Sequence, residues 1–328
     1  MKIVFYETDT WEQEYLAERL SGHTVFFEKT RNNEHNDVEI ISFGLGIHAN
    51  QEFLENFPKL KYVTTRTTGF DHIDSNYCKK IGISASNVPA YGENTVAEFA
   101  FTLILALSRK IYPAIKRVRD YGDFNFNGLM GFDLQGKTIG VVGTGRIGSK
   151  VIKIAKGFGM HVVAYDAHPN TELANEQGFE YLTLEELLKQ SDIITLHAPY
   201  NSSTHYLINK QNIGFCKQGS ILINTARGGL VETEALIGAL ENGVLAGAGL
   251  DVLEEEGFIK DEMHMLYSGH PNLQQLKTVL ADHKLMQMEN VLVTPHNAFN
   301  TREALIRILD VTLANIQAFT SGHPINLI

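Results

Sequence analysis

One stretch, residues 138–169, constrains the fold of this chain more than any other. It opens with an apolar run over residues 139–142, typical of a buried parallel strand, and then breaks into the turn Gly-Thr-Gly-Arg-Ile-Gly at 143–148. Apolar residues at helical spacing follow, and a second β-rich run ends in Asp166. This order of strand, glycine turn, helix, strand and acid predicts a dinucleotide-binding unit.

The three glycines of the turn have separate physical roles. Gly143 permits the tight turn that leaves the strand, Gly145 lets a pyrophosphate approach the backbone, and Gly148 lets the helix pack close to the sheet. The helix then begins at Arg146 and Ile147, where free N–H groups and the helix dipole favour phosphate binding. A merely structural glycine-rich turn is the alternative interpretation.

Asp166 indicates which dinucleotide is bound. A carboxylate at the end of the second strand can accept hydrogen bonds from both ribose hydroxyls, and it repels a 2′-phosphate. Neither Arg nor Lys occurs between Tyr165 and Glu172 to compensate that repulsion. The sequence therefore predicts NAD as the cofactor rather than NADP.

Size and charge limit the class of protein. The 328 residues are enough for roughly two domains, and the net charge of −10 argues against nucleic acid as a partner. Two distant cysteines, Cys78 and Cys216, indicate neither a disulfide framework nor a metal site. The N-terminus resembles a first strand rather than a signal peptide, and the longest apolar run, near residues 99–107, is too short to cross a bilayer. We therefore expect a cytoplasmic protein that binds no membrane.

Alternating short strands and helices fill residues 1 to about 95, which predicts a parallel sheet covered by helices on both faces. This segment lacks the glycine fingerprint, so we expect it to bind something other than the dinucleotide. The terminal helix predicted near 301–320 returns to it. The predicted fold is α/β with two doubly wound parallel-sheet domains: a Rossmann NAD-binding domain, 99–298, is inserted in a discontinuous flavodoxin-like substrate domain, 1–98 and 299–328.

Residues 93–121 carry apolar residues at helical spacing over an unusual length. The pattern predicts one long helix or two abutting ones. Its apolar surface is broader than one intramolecular contact needs, so we expect part of it to pack against a second subunit in a homodimer.

Three charged or titratable residues directly follow predicted strands of the second domain: Arg227, Asp251 and His296. Ligands of open α/β sheets bind beyond the carboxyl ends of the strands, so these residues are expected to converge beside the nicotinamide. Arg can grip a carboxylate with two parallel hydrogen bonds, and His can protonate a developing alkoxide near neutral pH. With a carboxylate to orient the His, such a set suits hydride transfer to a 2-keto acid without a metal.

The sequence resembles the D-isomer-specific 2-hydroxyacid dehydrogenases over nearly the whole chain, and five of its motifs occur in the order found in that family. They are Gly143–Gly148, Leu196–His197–Ala198–Pro199, Asn224–Thr225–Ala226–Arg227–Gly228–Gly229, the run from Gly249 to Glu256, and Thr294–Pro295–His296. The runs Thr67–Asp74 and Val88–Tyr91 and the long insertion before His296 are most similar to the D-lactate dehydrogenase branch.

The resemblance implies a role for each site residue. Arg227 would bind the substrate carboxylate, His296 would act as acid and base, and Glu256 would be the partner of His296. Backbone N–H groups of Thr68 and Gly69 would hold the carboxylate, with Tyr91 lining the pocket. Asp251 would reach the nicotinamide amide, and Thr225 and Ala226 would border the cofactor.

Several alternatives remain open from the sequence. Arg227 could form a surface ion pair, His296 could be a satisfied loop histidine, Tyr91 could be a packing residue, and the run of three glutamates around Glu256 could be a solvated acidic loop. Three histidines near the insertion, His264, His270 and His283, fit no common metal-site spacing, so we expect no metal.

Two departures from the family pattern affect the site. Gly257 stands where the family usually has Pro after the catalytic glutamate, so the loop there is expected to be looser. Gly44 and Gly46 stand where small-substrate members often carry an aromatic residue, and these two glycines are expected to leave room for a 2-keto acid larger than pyruvate. Phe299 is expected to narrow that room again. The expected activity is reduction of pyruvate to D-lactate; the alternatives are a bulkier or dicarboxylic 2-keto acid, or an NADH-sensing, corepressor-like binding protein of the same fold.

Overall fold

The computed structural model describes residues 1–29, 35–254, 256–257 and 273–328, and the chain divides into two compact units. Residues 1–91 and 300–328 form the first unit, and residues 92–299 form the second. The sequence placed the first boundary at 98/99, which would cut a helix. That helix instead belongs wholly to the second unit, because Ala97, Phe101 and Ile104 are buried in its core.

The strands in the described ranges are β1 (Lys2–Tyr6), β2 (Thr24–Glu28), β3 (Ile40–Phe43), β4 (Tyr62–Thr65), β5 (Ser84–Ser86), β6 (Thr138–Val142), β7 (His161–Tyr165), β8 (Glu180–Tyr181), β9 (Ile193–Leu196), β10 (Ser220–Asn224), β11 (Leu245–Leu250) and β12 (Val291–Val293). The α-helices there are α1 (Thr10–Arg19), α2 (Gln51–Leu54), α3 (Ser75–Ile81), α4 (Glu93–Ser108), α5 (Ile111–Tyr121), α6 (Arg146–Gly157), α7 (Thr171–Gln177), α8 (Leu184–Gln190), α9 (Thr233–Glu241), α10 (Leu273–Gln287) and α11 (Arg302–Thr320).

A parallel sheet organises the described part of the first unit, with the strand order β2-β1-β3-β4-β5. The order 2-1-3-4-5 is that of flavodoxin-like folds, which confirms the predicted architecture. β3 and β4 are buried at every position, as expected for strands covered by helices on both faces. The C-terminal helix α11 buries Leu309, Leu313 and Ile316 against this sheet.

The second unit contains a parallel sheet in the order β12-β11-β10-β9-β6-β7-β8 across its described residues. β6 lies between β9 and β7, so the strand order reverses there and opens a crevice at the carboxyl ends of the strands. The predicted Rossmann-type sheet is therefore confirmed. α6 packs on it through Val151, Ile152 and Ala155, whose spacing places them on one helix face.

The region 93–121 forms two abutting helices, α4 and α5, which is one of the two predicted alternatives. Lys110 between them has a φ of +50°, a left-handed conformation that a helix cannot continue through. α4 is buried along one face, whereas α5 has no buried residue.

The predicted insertion before His296 is described only in part. α10 covers Leu273–Gln287, and Val279 and Leu285 are buried. His264 and His270 lie outside the described residues, so the structure does not bear on their predicted role as loop histidines. In the described ranges no helix is long and apolar enough to cross a lipid bilayer.

Candidate active site

The turn between β6 and α6 places the three glycines under three different constraints. Gly143 has a φ of +89°, and a Cβ there would lie 2.7 Å from the Ala198 nitrogen. A Cβ on Gly148 would lie 2.0 Å from the Gly143 carbonyl oxygen. No atom comes within 4 Å of a Cβ built on Gly145. Packing thus requires glycine at positions 143 and 148, while Gly145 leaves the open backbone that a pyrophosphate needs.

Asp166 follows β7 and accepts hydrogen bonds from this turn. Its Oδ2 accepts hydrogen bonds from the Thr144 N–H at 2.7 Å and the Thr144 hydroxyl at 3.0 Å, and its Oδ1 accepts one from the His168 N–H at 2.9 Å. Burial acts to raise the pKa of Asp166, but these hydrogen bonds outweigh it and hold the pKa below the usual value. The carboxylate is therefore ionised and fixed beside the turn, as a ribose-binding acid must be.

A buried hydroxyl without a partner marks the end of β10. Thr225 Oγ1 is buried and has no hydrogen-bond partner among the described residues. The adjoining Ala226 N–H is already used, since it donates to Asn224 Oδ1 at 3.0 Å. A buried hydroxyl normally has a partner, so the Thr225 hydroxyl fits a site in which a bound molecule supplies one.

Arg227 lies on the loop that follows β10. Its Nη1 donates to the Ala226 carbonyl at 2.8 Å, and Asn224 Nδ2 donates to the Arg227 carbonyl at 2.9 Å. A Cβ on the next residue, Gly228, would lie 2.0 Å from the Leu253 carbonyl oxygen. Only glycine therefore lets the arginine loop pass directly against the chain that leads to Glu256.

His296 and Glu256 form a pair. The Nδ1 atom of His296 lies 2.8 Å from Glu256 Oε1, and the two side chains are 13% and 30% exposed. His296 has a φ of +53°, which is unusual for a residue other than glycine and is typical of functional loops. The ring of Phe299 lies edge-on to the imidazole, with 6.4 Å between ring centroids.

Two of the three consecutive glutamates, Glu254 and Glu256, have different contacts. Glu256 contacts His296, whereas Glu254 accepts hydrogen bonds from the Tyr206 hydroxyl and, at 2.8 Å, from the Thr233 hydroxyl. Glu255 lies outside the described residues. Sequence analysis did not identify Tyr206 or Thr233, because nothing in the local pattern links Glu254 to residues 48 and 21 positions away.

Asp251 holds the loop that carries His296. Its Oδ1 accepts hydrogen bonds from the Thr294 hydroxyl and, at 2.8 Å, from the Asn297 N–H, while Oδ2 accepts one from the Ala298 N–H at 2.7 Å. Burial raises the pKa of the Asp251 carboxyl, and the three hydrogen bonds oppose that rise. A contact with the nicotinamide amide, the role expected from the sequence, remains a prediction; the structure assigns the carboxylate to the histidine loop.

The first unit contains the predicted substrate loop, which follows β4. Thr68 Oγ1 donates to the Val88 carbonyl at 2.8 Å, and Asn87 Nδ2 donates to the Thr68 carbonyl at 2.7 Å. No acceptor within the described part of the chain takes the backbone N–H of Thr68 or Gly69. Two adjacent N–H groups without protein partners suit a bound carboxylate. Tyr91 is half-buried, and its carbonyl accepts from Arg307 Nε at 2.6 Å.

Comparison with known proteins identifies the family. The family model described as D-isomer specific 2-hydroxyacid dehydrogenase, NAD binding domain, matches residues 101–298, more than half of the chain. The chain belongs to the D-isomer specific 2-hydroxyacid dehydrogenases.

Relatives of the dehydrogenase cover most of its length. It is 42% identical to an aromatic 2-oxoacid reductase of Clostridium sporogenes over 82% of this chain and 79% of that one. It is 35% identical to D-lactate dehydrogenase of Escherichia coli over 98% of each chain. A solved D-lactate dehydrogenase of Aquifex aeolicus, complexed with NAD and lactic acid, matches with a TM-score of 0.85 at 36% identity, over 98% of this chain and 96% of that one.

The dehydrogenase is an NAD-dependent oxidoreductase, and its second unit fits that cofactor. The open backbone at Gly145 and the α6 N-terminus at Arg146 and Ile147 suit the pyrophosphate, and the fixed carboxylate of Asp166 suits the adenosine ribose. The buried Thr225 hydroxyl offers a further polar contact.

Proposed function

We propose that this dehydrogenase reduces a small 2-keto acid to the D-2-hydroxy acid, with pyruvate as substrate and D-lactate as product. The observation that carries the proposal is the 2.8 Å pair between His296 Nδ1 and Glu256 Oε1, on a loop beside that of Arg227. Arg227, Glu256 and His296 follow β10, β11 and β12, which lie side by side in one parallel sheet. An α/β protein binds its ligand beyond the carboxyl ends of such strands. Bound NADH supplies the hydride that reduces the keto carbon.

His296 is the proposed proton donor. A carboxylate can only accept a hydrogen bond, so the Nδ1 atom that contacts Glu256 carries hydrogen. Nε2 is then the atom that gives its proton to the keto oxygen as negative charge develops there. Glu256 stabilises the imidazolium that must exist before transfer, and it fixes the orientation of the ring.

Arg227 is the proposed anion-binding group. Its planar guanidinium can bind a carboxylate with two hydrogen bonds and can polarise the adjacent keto group. Thr68 and Gly69 of the first unit are proposed to bind a substrate carboxylate through their backbone N–H groups. Tyr91 and Phe299 are the proposed apolar neighbours of the substrate side chain.

The identity of the 2-keto acid decides between this proposal and its main alternative. The relatives include an aromatic 2-oxoacid reductase as well as D-lactate dehydrogenases, so a bulkier acid is the second candidate. The test is a panel of pyruvate, 2-oxobutyrate, 2-oxoisocaproate, phenylpyruvate, oxaloacetate and 2-oxoglutarate with NADH, ranked by kcat/KM. We expect pyruvate to rank first; a ranking led by phenylpyruvate would replace it with an aromatic acid.

An NADH-sensing binding protein of the same fold is the remaining alternative. It would bind NADH without oxidising it when any acid of the panel is added. We expect instead an NADH oxidation rate that saturates with the keto acid. A purified protein that binds NADH but turns over none of the six acids would overturn the proposed function.

The proposed assembly is a homodimer formed through α5. Five apolar residues of this helix are between 45% and 73% exposed: Ile111, Tyr112, Ile115, Val118 and Tyr121. Arg117 Nη1 donates to the carbonyls of Asn125 and Asn127 at 2.7 Å, which holds the following loop and its 93% exposed Phe124 beside the helix. A surface this apolar is typical of a subunit interface.

A cytoplasmic location stays a prediction.

A further inference from the structure

Glu7 occupies the space that the sequence assigned to a larger substrate. A Cβ built on Gly46 would lie 2.0 Å from Glu7 Oε1, and one built on Gly44 would lie 2.9 Å from Glu7 Oε2. The Gly44 N–H donates to Oε2 at 2.8 Å. The two glycines therefore make room for a carboxylate of the protein itself, and the expectation that they leave a void is wrong.

The backbone around Glu7 is built to hold this arrangement. Glu7 follows β1 with a φ of +56°, a left-handed conformation that is costly for a residue with a side chain. The buried Arg66 compensates that cost: its Nη2 donates to the Tyr6 carbonyl at 2.6 Å and to the Glu7 carbonyl at 2.8 Å. Arg66 is only 7% exposed, so a buried guanidinium holds the backbone of Tyr6 and Glu7 in this conformation.

The charge of Glu7 lies at the sheet edge where the first unit is proposed to bind substrate. β1, β3 and β4 are adjacent parallel strands, and Glu7, Gly44 and Thr68 all lie just beyond their carboxyl ends. A 2-keto acid held by the N–H groups of Thr68 and Gly69 with its side chain directed toward β3 would bring that side chain to the Glu7 carboxylate. Glu7 is exposed, so its carboxylate is available to meet that side chain.

We propose that Glu7 is a specificity-determining residue, which selects 2-keto acids with uncharged side chains and rejects dicarboxylic ones by charge repulsion. The inference rests on the proposed function, since it uses the carboxylate site at Thr68 and Gly69. Arg66 does not attract a second substrate carboxylate, because its guanidinium is buried and its Nη2 is bound to two main-chain carbonyls.

The test compares kcat/KM for 2-oxoglutarate with kcat/KM for 2-oxobutyrate in wild type and in Glu7→Gln. Glutamine keeps the size of the side chain and removes its charge. We expect the ratio to rise about tenfold in the variant, as removal of one like charge near the substrate predicts. In wild type the discrimination should weaken as salt is raised from 0.05 to 0.5 M, because salt screens exposed charges.

A second variant and a control keep the test independent of folding defects. Gly46→Ala should raise the same ratio, since the new Cβ must displace the Glu7 carboxylate. Glu14→Gln, on the exposed face of α1 in the same unit, removes an equal charge and should leave the ratio within twofold. A ratio unchanged in both test variants would overturn the role of Glu7. Failure of wild type to reduce any 2-keto acid would instead overturn the proposed function itself.

Discussion

At the scale of single residues, the pairing of His296 with Glu256 makes a prediction about pH. Glu256→Gln removes the negative charge 2.8 Å from Nδ1, so the protonated ring loses stabilisation. The proposed mechanism needs that protonated ring for reduction. We therefore expect the alkaline limb of kcat/KM for pyruvate reduction to move to lower pH, with kcat at pH 7 reduced about tenfold or more.

Glu254 provides the matched control for this experiment. It is two residues away and carries the same charge, but it contacts Tyr206 and Thr233 rather than the histidine. Glu254→Gln should lower the free energy of unfolding by about 1–3 kcal/mol, since one of its two half-buried acceptor oxygens becomes an amide donor, and leave the alkaline limb where it is in wild type. A limb that moves equally in both variants would contradict the assignment of Glu256.

Asp251 is predicted to affect the reaction through the loop that carries His296. Asp251→Asn places an amide N–H₂ against backbone N–H groups of Asn297 and Ala298, so one hydrogen bond becomes a repulsive contact. We expect the unfolding free energy to fall by about 1–3 kcal/mol and kcat to fall as the His296 loop loosens. Urea unfolding and steady-state kinetics of the same preparation measure both. Unchanged stability would argue against a loop-holding role.

At the scale of secondary structure elements, His197 at the end of β9 predicts how the free energy of unfolding depends on pH. His197 Nε2 lies 2.8 Å from Thr195 Oγ1, and burial lowers the pKa of His197 to about 3. The unfolded chain binds a proton at this side chain near pH 6.5, whereas the folded chain does not. The contribution of His197 to the free energy of unfolding is therefore fully present above pH 6.5, and it is lost as the pH falls toward 3.

The measurement is the free energy of unfolding in urea between pH 4.5 and 6. A histidine that is protonated only when unfolded contributes a slope of about 1.4 kcal/mol per pH unit. His197→Asn should reduce the slope by about that amount, even though the variant is less stable overall. Parallel curves for wild type and variant would contradict a His197 that stays neutral in the folded chain.

The elements also show how far sequence alone can lead. The glycine turn, Asp166 and the ends of β10, β11 and β12 follow from local periodicity, because a buried parallel strand and its turn are short-range patterns. The capping box of Thr183 and Glu186 at the start of α8 is a short-range pattern of the same kind, because its two residues are three positions apart.

Contacts between distant residues were not predictable in this way. The hydrogen bonds of Asp251 to the His296 loop span more than 40 positions, and the Glu7 carboxylate meets Gly44 from 37 positions away. Sequence spacing does not reveal where a long side chain points once two strands become neighbours. The glycines at 44 and 46 were therefore interpreted as empty space, although they accommodate a charged group.

At the scale of the whole molecule, the exposed face of α5 predicts the oligomeric state. Val118→Glu places a charge on a face that includes the 54% exposed Ile115, and we expect the dimer mass to fall to that of a monomer in light scattering after size exclusion. Leu280→Glu, at a 69% exposed leucine of α10, is the control and should remain dimeric. A wild-type protein that elutes as a monomer at micromolar concentration would contradict this proposal.

The most direct test of the account is pyruvate-dependent NADH oxidation by wild type, Arg227→Ala and His296→Ala, with the lactate formed analysed by chiral chromatography. We expect wild type to form D-lactate only. His296→Ala should lower kcat by about 10²–10⁴-fold with little change in KM, whereas Arg227→Ala should lower kcat and raise KM together. Wild-type turnover in both variants, or L-lactate as the product, would contradict the account.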